Sequence, residues 1–387
     1  MNFSLTEEQV LFRDSVAKFA RNELAPGALQ RAQADDFPCD VARRLAEQGL
    51  MGITIAEADG GQGGSLLDAV IAIEEVALAC PKSADIVQAG NFGAIRTFAE
   101  YGTADQKKRY LPALLAGKNI IAVAMTEPDA GSAVTELSTS ARRDGHGYRL
   151  NGSKIFTTNS RHAGLFLAYV RFGSGVDGIG SVLVERESPG LEFGRPSRFM
   201  NGEEWQQLHF NDCYVPEENV LLPAGGFKRQ IKGFNVERIG NATRSLALGR
   251  LAFNLAKEYA ETRHQFGRAL CDFQGIQWKF AEMAIKLEAA QLLLYRAASH
   301  RANELPSAYD TAIAKVTCNR AGFDIANEAL QIMGGHGFSC ESLVQYCMRR
   351  TRGWMIAGGS IEILLNRISE SVFDRRFSQR VHHEAAE

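Results

Sequence analysis

The sequence lacks several features that would assign the chain to a membrane or to the secreted proteins. No apolar run approaches the ~20 residues that a helix needs to span a bilayer. The start has no basic segment followed by an apolar one, so we expect no secretory signal. The 7 cysteines are scattered and odd in number, which disfavours both a disulfide framework and a zinc site. These absences favour a reducing cytoplasm.

An excess of charge of one sign is missing as well. The formal net charge is −2, and the lysines and arginines form no stripe along the sequence. Proteins that bind nucleic acids or anionic membranes usually carry such a positive patch. We therefore expect neither a nucleic acid nor a membrane as a partner.

The chain is long enough, at 387 residues, for two or three domains. Residues 1–121 have helical periodicity and begin with a capping-box pattern, Thr6-Glu7-Glu8-Gln9. In residues 122–226, short β-rich runs alternate with turn signals, which is typical of a small β-barrel or sandwich. Helical periodicity returns in residues 227–387, where Met283, Leu287 and Ala290 belong to a stripe typical of a bundle core.

A polar turn follows the first predicted strand, with the sequence Met125-Thr126-Glu127-Pro128-Asp129-Ala130-Gly131-Ser132. Its hydroxyl groups, and the backbone N–H groups beside its small residues, can meet a planar ring that has many hydrogen-bonding groups. The alternative is an ordinary Pro-Gly turn with exposed polar groups. From the residues alone, the ordinary turn is the favoured interpretation.

Five segments, in one order along the chain, resemble the acyl-CoA dehydrogenase superfamily. The polar turn is similar to the family signature Thr-Glu-Pro-x-Ala-Gly-Ser, which lines the flavin. The other four segments are Leu5-Thr6-Glu7-Glu8-Gln9, Asn151-Gly152-Ser153-Lys154-Ile155-Phe156-Thr157-Thr158-Asn159, Arg263-His264-Gln265-Phe266-Gly267 with Phe273-Gln274, and Gln331-Ile332-Met333-Gly334-Gly335-His336-Gly337-Phe338. The resemblance therefore spans essentially the whole chain.

The resemblance implies a mainly α member of the α+β class, with an N-terminal helical domain, a central small β-barrel domain and a C-terminal four-helix bundle. It also implies FAD bound between the last two domains. The predicted contacts of the flavin are Met125, Thr126, Gly131, Ser132, Phe156 and Thr158. The predicted contacts of the pyrophosphate and adenosine are Arg263, Phe266, Gln274, Gln331 and Gly335, and Ser360 and Glu362 complete the cofactor set. Some of these contacts come from a neighbouring subunit in the family, so a homo-oligomer is implied, with a tetramer favoured over a dimer.

The catalytic glutamate of many family members has no counterpart at its usual place. Those members carry Tyr-Glu-Gly-Thr where this chain has Ala357-Gly358-Gly359-Ser360, so Gly358 occupies the glutamate position. Removing an α-proton from a thioester requires a base close to the carbon, and a glycine cannot supply it.

A second arrangement in the family offers a replacement. Isovaleryl-CoA and long-chain acyl-CoA dehydrogenases carry the glutamate on an earlier helix, immediately before an arginine, and Glu237-Arg238 matches that place. Glu237 is therefore the predicted base, and we expect its pKa to be raised beside an apolar substrate and a neutral flavin. The alternative is an exposed glutamate in the first turn of a helix, where the helix dipole favours acids.

Further predictions concern the thioester. The backbone N–H of Gly358 survives the loss of the side chain, and the resemblance implies that it binds the carbonyl oxygen together with a ribityl hydroxyl of FAD. Arg238 is predicted to orient the loop or Glu237, with a structural salt bridge as the alternative. The predicted substrate contacts are Ser132, Asn235 and Arg238.

Three positions depart from the usual family residue, which argues against a routine fatty-acid β-oxidation enzyme: Ala133, Asn235 and Arg350.

The predicted reaction is FAD-dependent α,β-dehydrogenation of an acyl thioester, attached to coenzyme A or a carrier protein, to the trans-2-enoyl thioester. Glu237 removes the α-proton, the β-hydrogen leaves as hydride to the flavin, and an electron-transferring flavoprotein serves as the redox partner. One alternative is an enoyl-CoA reductase, because residues 273–287 and Gly358-Gly359-Ser360 resemble crotonobetainyl-CoA reductase. A non-catalytic flavoprotein is the other alternative, and we expect a cytoplasmic location in each case.

Overall fold

The computed structural model describes residues 4–299 and 305–377. Its N-terminal part is helical, and the first helix begins at the predicted capping box. The Gln9 N–H donates to Thr6 Oγ1 at 3.2 Å, and the Thr6 N–H donates to Gln9 Oε1 at 3.1 Å. The helices are α1 (Glu7–Phe19), α2 (Ala28–Gln33), α3 (Cys39–Glu47), α4 (Leu66–Ala79), α5 (Pro81–Asn91), α6 (Gly93–Tyr101) and α7 (Ala104–Leu115).

The central part is a nine-stranded sheet. Its main path runs in the order β6-β8-β3-β2-β4-β5-β9, while β1 pairs in parallel with β4 and β7 pairs with β8. Alternating apolar residues of β4 and β5 are buried on both faces of the sheet. The strands are β1 (Ile121–Ala124), β2 (Ser140–Asp144), β3 (Gly147–Thr158), β4 (Leu165–Arg171), β5 (Ile179–Glu185), β6 (Leu191–Phe193), β7 (Ser197–Arg198), β8 (Glu204–Pro216) and β9 (Val220–Leu222).

The C-terminal part is a helical bundle built around one long helix. Its elements are α8 (Phe227–Thr262), the hairpin β10 (His264–Gln265) and β11 (Arg268–Ala269), α9 (Gln274–Ala298), α10 (Ala308–Met333), α11 (Gly335–Phe338), α12 (Leu343–Trp354) and α13 (Ile361–Val372). Helix α10 packs against α8, α9, α12 and α13. Gly322 lets α10 approach α8 closely, because a Cβ at that position would lie 2.2 Å from the carbonyl oxygen of Ser245.

The N-terminal helices also pack on α8, which places parts of the candidate site on two sides of one interface. Helices α4, α5 and α6 all contact α8. At Gly240, a Cβ would lie 2.9 Å from Phe92 Cγ and 3.1 Å from Gln88 Cγ, so the glycine allows α8 to approach the α5 end of the N-terminal part. Phe92 is fully buried there.

The predicted fold class is confirmed: helices are followed by a sheet and then by a helical bundle. The predicted core stripe of α9 is confirmed too, because Met283, Leu287 and Ala290 are buried. The domain limits at residues 121 and 226 stay predictions. Within residues 4–299 and 305–377, no helix combines the length and the hydropathy that crossing a bilayer would require.

Candidate active site

The polar turn after β1 is fixed against β3. The Ile155 N–H donates to the Thr126 carbonyl oxygen at 2.8 Å, and Lys154 Nζ donates to the Met125 carbonyl oxygen at 3.2 Å. Gly131 and Ser132 are exposed at the open side of the turn, and a Cβ at Gly131 would meet nothing within 4 Å. The turn therefore offers an accessible polar edge on a fixed backbone.

A buried ion pair anchors this turn. Lys154 Nζ lies 2.7 Å from Glu127 Oε1, and the two side chains are 0% and 4% exposed. The N–H groups of Ser138 and Thr139 also donate to the Glu127 carboxylate, at 2.6 and 2.9 Å. Burial opposes the charge, but Lys154 and these hydrogen bonds outweigh it and hold the pKa of Glu127 at about 2. Glu127 is thus an anchor of the turn and does not reach out to a ligand.

Neither Glu127 nor Lys154 was predicted from the sequence to have a function. Both residues lie inside motifs that the analysis quoted, and their opposite charges beside a β-rich run were the available signal. A lysine in a strand that is otherwise half-buried needs a partner, because an unpaired buried charge is costly.

Phe156 and Thr158 lie where β3 ends, next to the turn. The pairing of β3 with β8 shifts register between Lys154 and Thr157, and Phe156 adopts φ +60° at this irregularity. The Phe156 ring packs edge-on against Trp205, with centroids 4.8 Å apart, yet 48% of the residue is exposed. Thr158 is partly exposed beside it. An aromatic face and a hydroxyl therefore remain open at this edge of the sheet.

Glu237 lies well inside α8, which begins at Phe227, and its side chain faces the N-terminal part of the protein. Gln88 Nε2 donates to Glu237 Oε2 at 2.7 Å. A Cβ at Gly93, where φ is +67°, would lie 3.0 Å from the same oxygen. Glu237 is only partly exposed, so the alternative of an exposed glutamate in a first helical turn is wrong.

The electrostatics of Glu237 match the role that was predicted for it. Burial raises the pKa of this carboxyl above its usual value, while Arg244, the hydrogen bond from Gln88 and the charge of Lys315 lower it in part. The net direction is upward. Since a raised pKa brings a carboxylate closer to the basicity needed near neutral pH, the group is suited to accept a proton.

The loop between α12 and α13 contains Gly358, with φ +71°, and Gly359, with φ +91°. A Cβ at Gly358 would lie 3.7 Å from both Lys315 Cε and Asn241 Nδ2, so the missing side chain leaves space there. The Gly358 N–H donates to no group within residues 4–299 and 305–377. A backbone donor beside open space is thus available for a ligand.

Lys315 hydrogen-bonds this loop and influences Glu237 through its charge, and no sequence motif predicted it as a site residue. Its side chain is fully buried, and Nζ lies 3.1 Å from the Trp354 carbonyl oxygen and 3.0 Å from that of Gly359. Burial and the positive charges of Arg238 and Arg244 lower the pKa of Lys315 to about 7, whereas Glu237 acts in the opposite direction. Lys315 therefore binds the Gly358 loop directly and acts on Glu237 only through its charge.

Asn235 and Arg238 lie close together on α8. Arg238 Nη1 donates to Asn235 Oδ1 at 2.9 Å, and Asn235 Nδ2 donates to the Pro306 carbonyl oxygen at 3.3 Å. Burial lowers the pKa of Arg238 to about 10. A Cβ at Gly359 would lie 3.8 Å from Arg238 Nη2, so this guanidinium group adjoins the Gly358 loop. The hydrogen bond recorded for the guanidinium group goes to Asn235 on its own helix, so the orienting role of Arg238 stays a prediction.

The predicted pyrophosphate and adenosine contacts lie at the other end of α8. Arg263 follows the last residue of α8, Phe266 is 95% exposed in the hairpin, and Gln274 begins α9. Gln331 lies in the last turn of α10, which ends at Met333, and Gly335 begins α11. The stacked rings of Tyr259 and His336, 5.4 Å apart, join the two groups. The five predicted residues therefore share one end of the bundle.

Ser360 and Glu362 begin α13, next to the Gly358 loop. Ser360 Oγ accepts the Ile363 N–H at 3.4 Å, so it caps the helix. Glu362 is exposed in the first turn, where hydrogen bonds to backbone and to Ser360 lower its pKa. A cap and a first-turn acid are the common stabilising pair at a helix start.

Arg350, one of the departures noted in the sequence, is the centre of a buried network. It pairs with Glu203 at 2.7 Å and with Asp85, while Asp85 also pairs with Arg244 at 3.2 Å. The Trp354 ring lies between the two guanidinium groups, 4.7 Å from that of Arg244 and 5.1 Å from that of Arg350. The positive charge of Arg350 is thus matched by acids from α5 and from the segment before β8.

Comparison with known proteins assigns the chain to a family. Three family models match it: the N-terminal domain of acyl-CoA dehydrogenase over residues 6–118, the middle domain over 122–213, and the C-terminal domain over 224–373. In the structure these segments correspond to the helical, sheet and bundle parts.

Curated relatives have several activities. A 3-sulfinopropanoyl-CoA desulfinase of Paraburkholderia xenovorans is 34% identical over 98% of this chain and 99% of its own length. A short-chain-specific acyl-CoA dehydrogenase of Clostridium acetobutylicum is 34% identical over 96% of this chain and its full length, 100%. An acryloyl-CoA reductase (NADH) of Anaerotignum propionicum is 34% identical over 97% of each chain.

Solved structures agree with this assignment. Butyryl-CoA dehydrogenase from Megasphaera elsdenii superposes with a TM-score of 0.90 at 31% identity, over 96% of this chain and 100% of that one. A chain in the structure of the electron transferring flavoprotein of Acidaminococcus fermentans gives 0.91 at 32% identity, over 96% and 99%. The predicted family and enzyme class are confirmed. The chain belongs to the acyl-CoA dehydrogenase family, a family of FAD enzymes.

Proposed function

We propose that the chain catalyses α,β-dehydrogenation of an acyl thioester to the trans-2-enoyl thioester, with Glu237 as the base that removes the α-proton. The observation that carries this proposal is the placement of Glu237. Its carboxyl is partly buried, its pKa is raised, and it feels the charge of Lys315, which binds the loop that holds Gly358. The base missing from residue 358 is therefore replaced by a carboxyl near the same loop.

The residues around the polar turn fit a flat ring system. Phe156 leaves nearly half of its surface open, and Thr158, Gly131 and Ser132 are accessible beside it. In this proposal Thr126, Ser132 and Thr158 hydrogen-bond the isoalloxazine, and Phe156 packs on it. FAD, when bound there, accepts the hydride that leaves the β-carbon. Ser132 also borders the substrate, and Met125 and Gly131 shape the turn.

The thioester carbonyl needs a donor where negative charge develops. The Gly358 N–H has no acceptor within the described residues, and the Lys315 side chain holds its loop. A backbone donor aimed at a developing oxyanion lowers the barrier to α-proton loss, and such donors are worth about 10²–10³ in rate. Gly358 therefore acts through its main chain, while Glu237 acts through its carboxylate.

The distal cofactor contacts point to more than one copy of the chain. Glu237 lies on α8 and Arg263 directly follows the end of that helix, about 39 Å away at 1.5 Å per residue. A flavin beside Glu237 cannot also extend its pyrophosphate to Arg263 of the same copy. We infer that Arg263, Phe266, Gln274, Gln331 and Gly335 hold the FAD of a neighbouring subunit, in a homo-oligomer. Ser360 and Glu362 lie near the flavin end.

The central test compares the wild-type enzyme with Glu237→Gln under anaerobic mixing. The wild-type flavin is expected to bleach with at least one member of a panel of short, long, branched and carrier-bound acyl thioesters. Glu237→Gln is expected to bind FAD and acyl-CoA but to bleach about 10²–10⁴ times more slowly, because its amide cannot accept the proton. Glu258→Gln, an exposed substitution on the same helix, is the matched control and should bleach normally. Normal bleaching by Glu237→Gln would remove this residue from the mechanism.

A second candidate is the reverse reaction, reduction of an enoyl-CoA. Two observations favour it: the 34% sequence identity with an acryloyl-CoA reductase, and the Gly358-Gly359-Ser360 segment. To separate the directions, chemically reduced enzyme is mixed anaerobically with the matching enoyl-CoAs, and flavin reoxidation is compared with bleaching by the saturated thioesters. Faster reoxidation in each pair favours the reductase. A yellow protein that reacts with neither set would instead be a non-catalytic flavoprotein.

The redox partner and the acyl group complete the proposal. An electron-transferring flavoprotein is the proposed acceptor, because a closely similar chain lies in a structure described by that name. The substrate panel includes 3-sulfinopropanoyl-CoA, since a relative over nearly the whole chain acts on it by name. Hydrolytic loss of the sulfinate group as sulfite, with formation of propanoyl-CoA and no net flavin reduction, would identify that thioester as the substrate and set aside dehydrogenation.

A further inference from the structure

The buried lysine of α10 has a position that the proposed reaction does not yet use. We propose that Lys315 is a positioning residue, which clamps the loop of residues 354–359 so that the Gly358 N–H is directed at the thioester carbonyl. This inference rests on the proposed function, because it concerns the same reacting carbonyl. Lys315 itself acts through the loop and needs no contact with the substrate.

The first support is the pair of oxygens that Lys315 binds. The carbonyl oxygens of Trp354 and Gly359 lie on either side of the loop, and Nζ is 3.1 and 3.0 Å from them. One ammonium group therefore holds both ends of the loop at once. Gly358 lies between these two oxygens in sequence, and the site of its absent Cβ is 3.7 Å from Lys315 Cε.

The second support is that the two ends of the loop are held unequally. Trp354 has further restraints, because Asn319 Nδ2 donates to its carbonyl oxygen at 2.6 Å and its ring lies between Arg244 and Arg350. At the other end, Gly358 and Gly359 both have positive φ. Glycines have more accessible backbone conformations than other residues, so this end depends on a restraint from outside. Lys315 provides such a restraint at 3.0 Å from the Gly359 carbonyl oxygen, and the longer contact of 3.5 Å from Asn241 Nδ2 to the Ala357 carbonyl oxygen adds to it.

The third support is the cost of placing a lysine at this position. Lys315 is completely buried, and burying an ammonium group is unfavourable unless its donors are satisfied. An apolar side chain of similar length would fill the same volume without that cost. A neutral amine still has two N–H donors for the two carbonyls, so the clamp does not depend on the charge. The hydrogen bonds to the loop are therefore the property that distinguishes this lysine from a core residue.

The test uses the holoenzyme with Lys315→Met, which keeps the volume and removes the donors. Lys286→Met, which breaks an exposed pair with Asp324, is the matched control. One measurement is amide hydrogen exchange of the loop of residues 354–359, followed by mass spectrometry. The other is the rate of anaerobic flavin bleaching at saturating acyl-CoA, together with the concentration that gives half-saturation. FAD content is measured for every variant.

In Lys315→Met, we expect exchange in the loop to be faster than in the wild type and bleaching to be slowed at least about tenfold. Complete loss of an oxyanion donor costs about 10²–10³ in rate, and a displaced donor loses part of that effect. The half-saturating concentration should change little, because most of the thioester's contacts are untouched. Lys286→Met should match the wild type in both measurements.

The outcomes separate the clamp from the proposed function. Wild-type bleaching and exchange in Lys315→Met overturn the clamp, and unchanged bleaching with faster exchange reduces Lys315 to a structural residue. If the wild type itself bleaches with no thioester, the proposed function fails, while exchange still decides whether Lys315 restrains the loop. Should Lys315→Met fail to fold, Lys315→Gln carries the same comparison, because it retains an amide that can reach one carbonyl at most.

Discussion

At residue 237 two opposing effects set the basicity of one carboxyl. Burial raises its pKa, and Arg244, Gln88 and Lys315 lower it, with the upward effect prevailing. Gln88 differs from the two cations because it donates a hydrogen bond directly to the carboxylate, at 2.7 Å. A donor of this kind stabilises the charged form of the acid. Gln88 thus moderates the basicity that burial creates.

This balance predicts the effect of Gln88→Leu. Without the amide donor, the pKa of Glu237 should rise further, so a smaller fraction of the enzyme is ionised at any given acidic pH. The acidic limb of kcat/KM for flavin reduction should therefore move to higher pH, since that limb reports the free enzyme. Gln106→Leu removes another buried glutamine, whose amide donates to the Glu218 carbonyl, and should leave the limb in place. A limb that stays or moves to lower pH in Gln88→Leu contradicts this account.

The sequence predicted Glu237 but not the residues that adjust the pKa of its carboxyl, and the reason is physical. Glu237 and its arginine form a local pattern on one helix. Gln88 lies 149 residues away on α5, and Lys315 lies on α10. Both resemble ordinary helix residues in the sequence, and only the packing of α5 and α10 on α8 brings them to the site. Contacts between distant elements leave no local pattern to recognise.

At the scale of elements, the buried pair of Glu127 and Lys154 joins the polar turn to β3. The turn has no regular secondary structure of its own, so its shape depends on this pair, on the N–H groups of Ser138 and Thr139, and on the backbone bond from Ile155. Breaking one partner leaves the other charge buried and unpaired. The central sheet and the proposed flavin contacts therefore share one support.

Lys154→Met is expected to lower the free energy of unfolding by about 3–5 kcal/mol, the usual cost of an unpaired buried charge. The double variant Glu127→Gln, Lys154→Met should recover a large part of this loss. Urea unfolding of the holoenzyme, followed by flavin fluorescence and circular dichroism, measures both. Lys286→Met, at an exposed pair, should change stability by about 1 kcal/mol or less. Equal losses in the single and double variants would contradict the role of the pair.

The same pair predicts how acid acts on the fold. The folded-state pKa of Glu127, about 2, lies below its usual value of 4.5. Its ionised form therefore stabilises the protein above the usual value, and this contribution is lost as pH falls from about 4.5 towards 2. Unfolding measured across that range should show a smaller acid-dependent loss in the double variant than in the wild type.

At the scale of the whole molecule, periodicity predicted the order of helices, sheet and bundle. The sheet buries an apolar core of its own, whereas the N-terminal helices and the bundle share one continuous core. Periodicity also predicted the buried apolar stripe of α9, but it did not single out a second, exposed apolar stripe on the same helix. Trp278, Ile285 and Leu292 recur every seven residues on the opposite face of α9, and they are 63%, 63% and 46% exposed. A single chain offers nothing in its described part that covers them. A stripe of this kind on a long helix is typical of an interface.

A second copy of the chain is the proposed partner, since Arg263, a predicted pyrophosphate contact, lies about 39 Å from Glu237 along α8. Ile285→Glu should therefore lower the mass measured by light scattering and weaken FAD retention, because each flavin loses the contacts of a neighbour. Leu11→Glu, at a 72% exposed apolar residue of α1, is the control and should alter neither property. An unchanged mass in Ile285→Glu would show that the subunit interface does not involve this stripe of α9. A wild-type monomer that retains FAD would show instead that one copy supplies all the contacts.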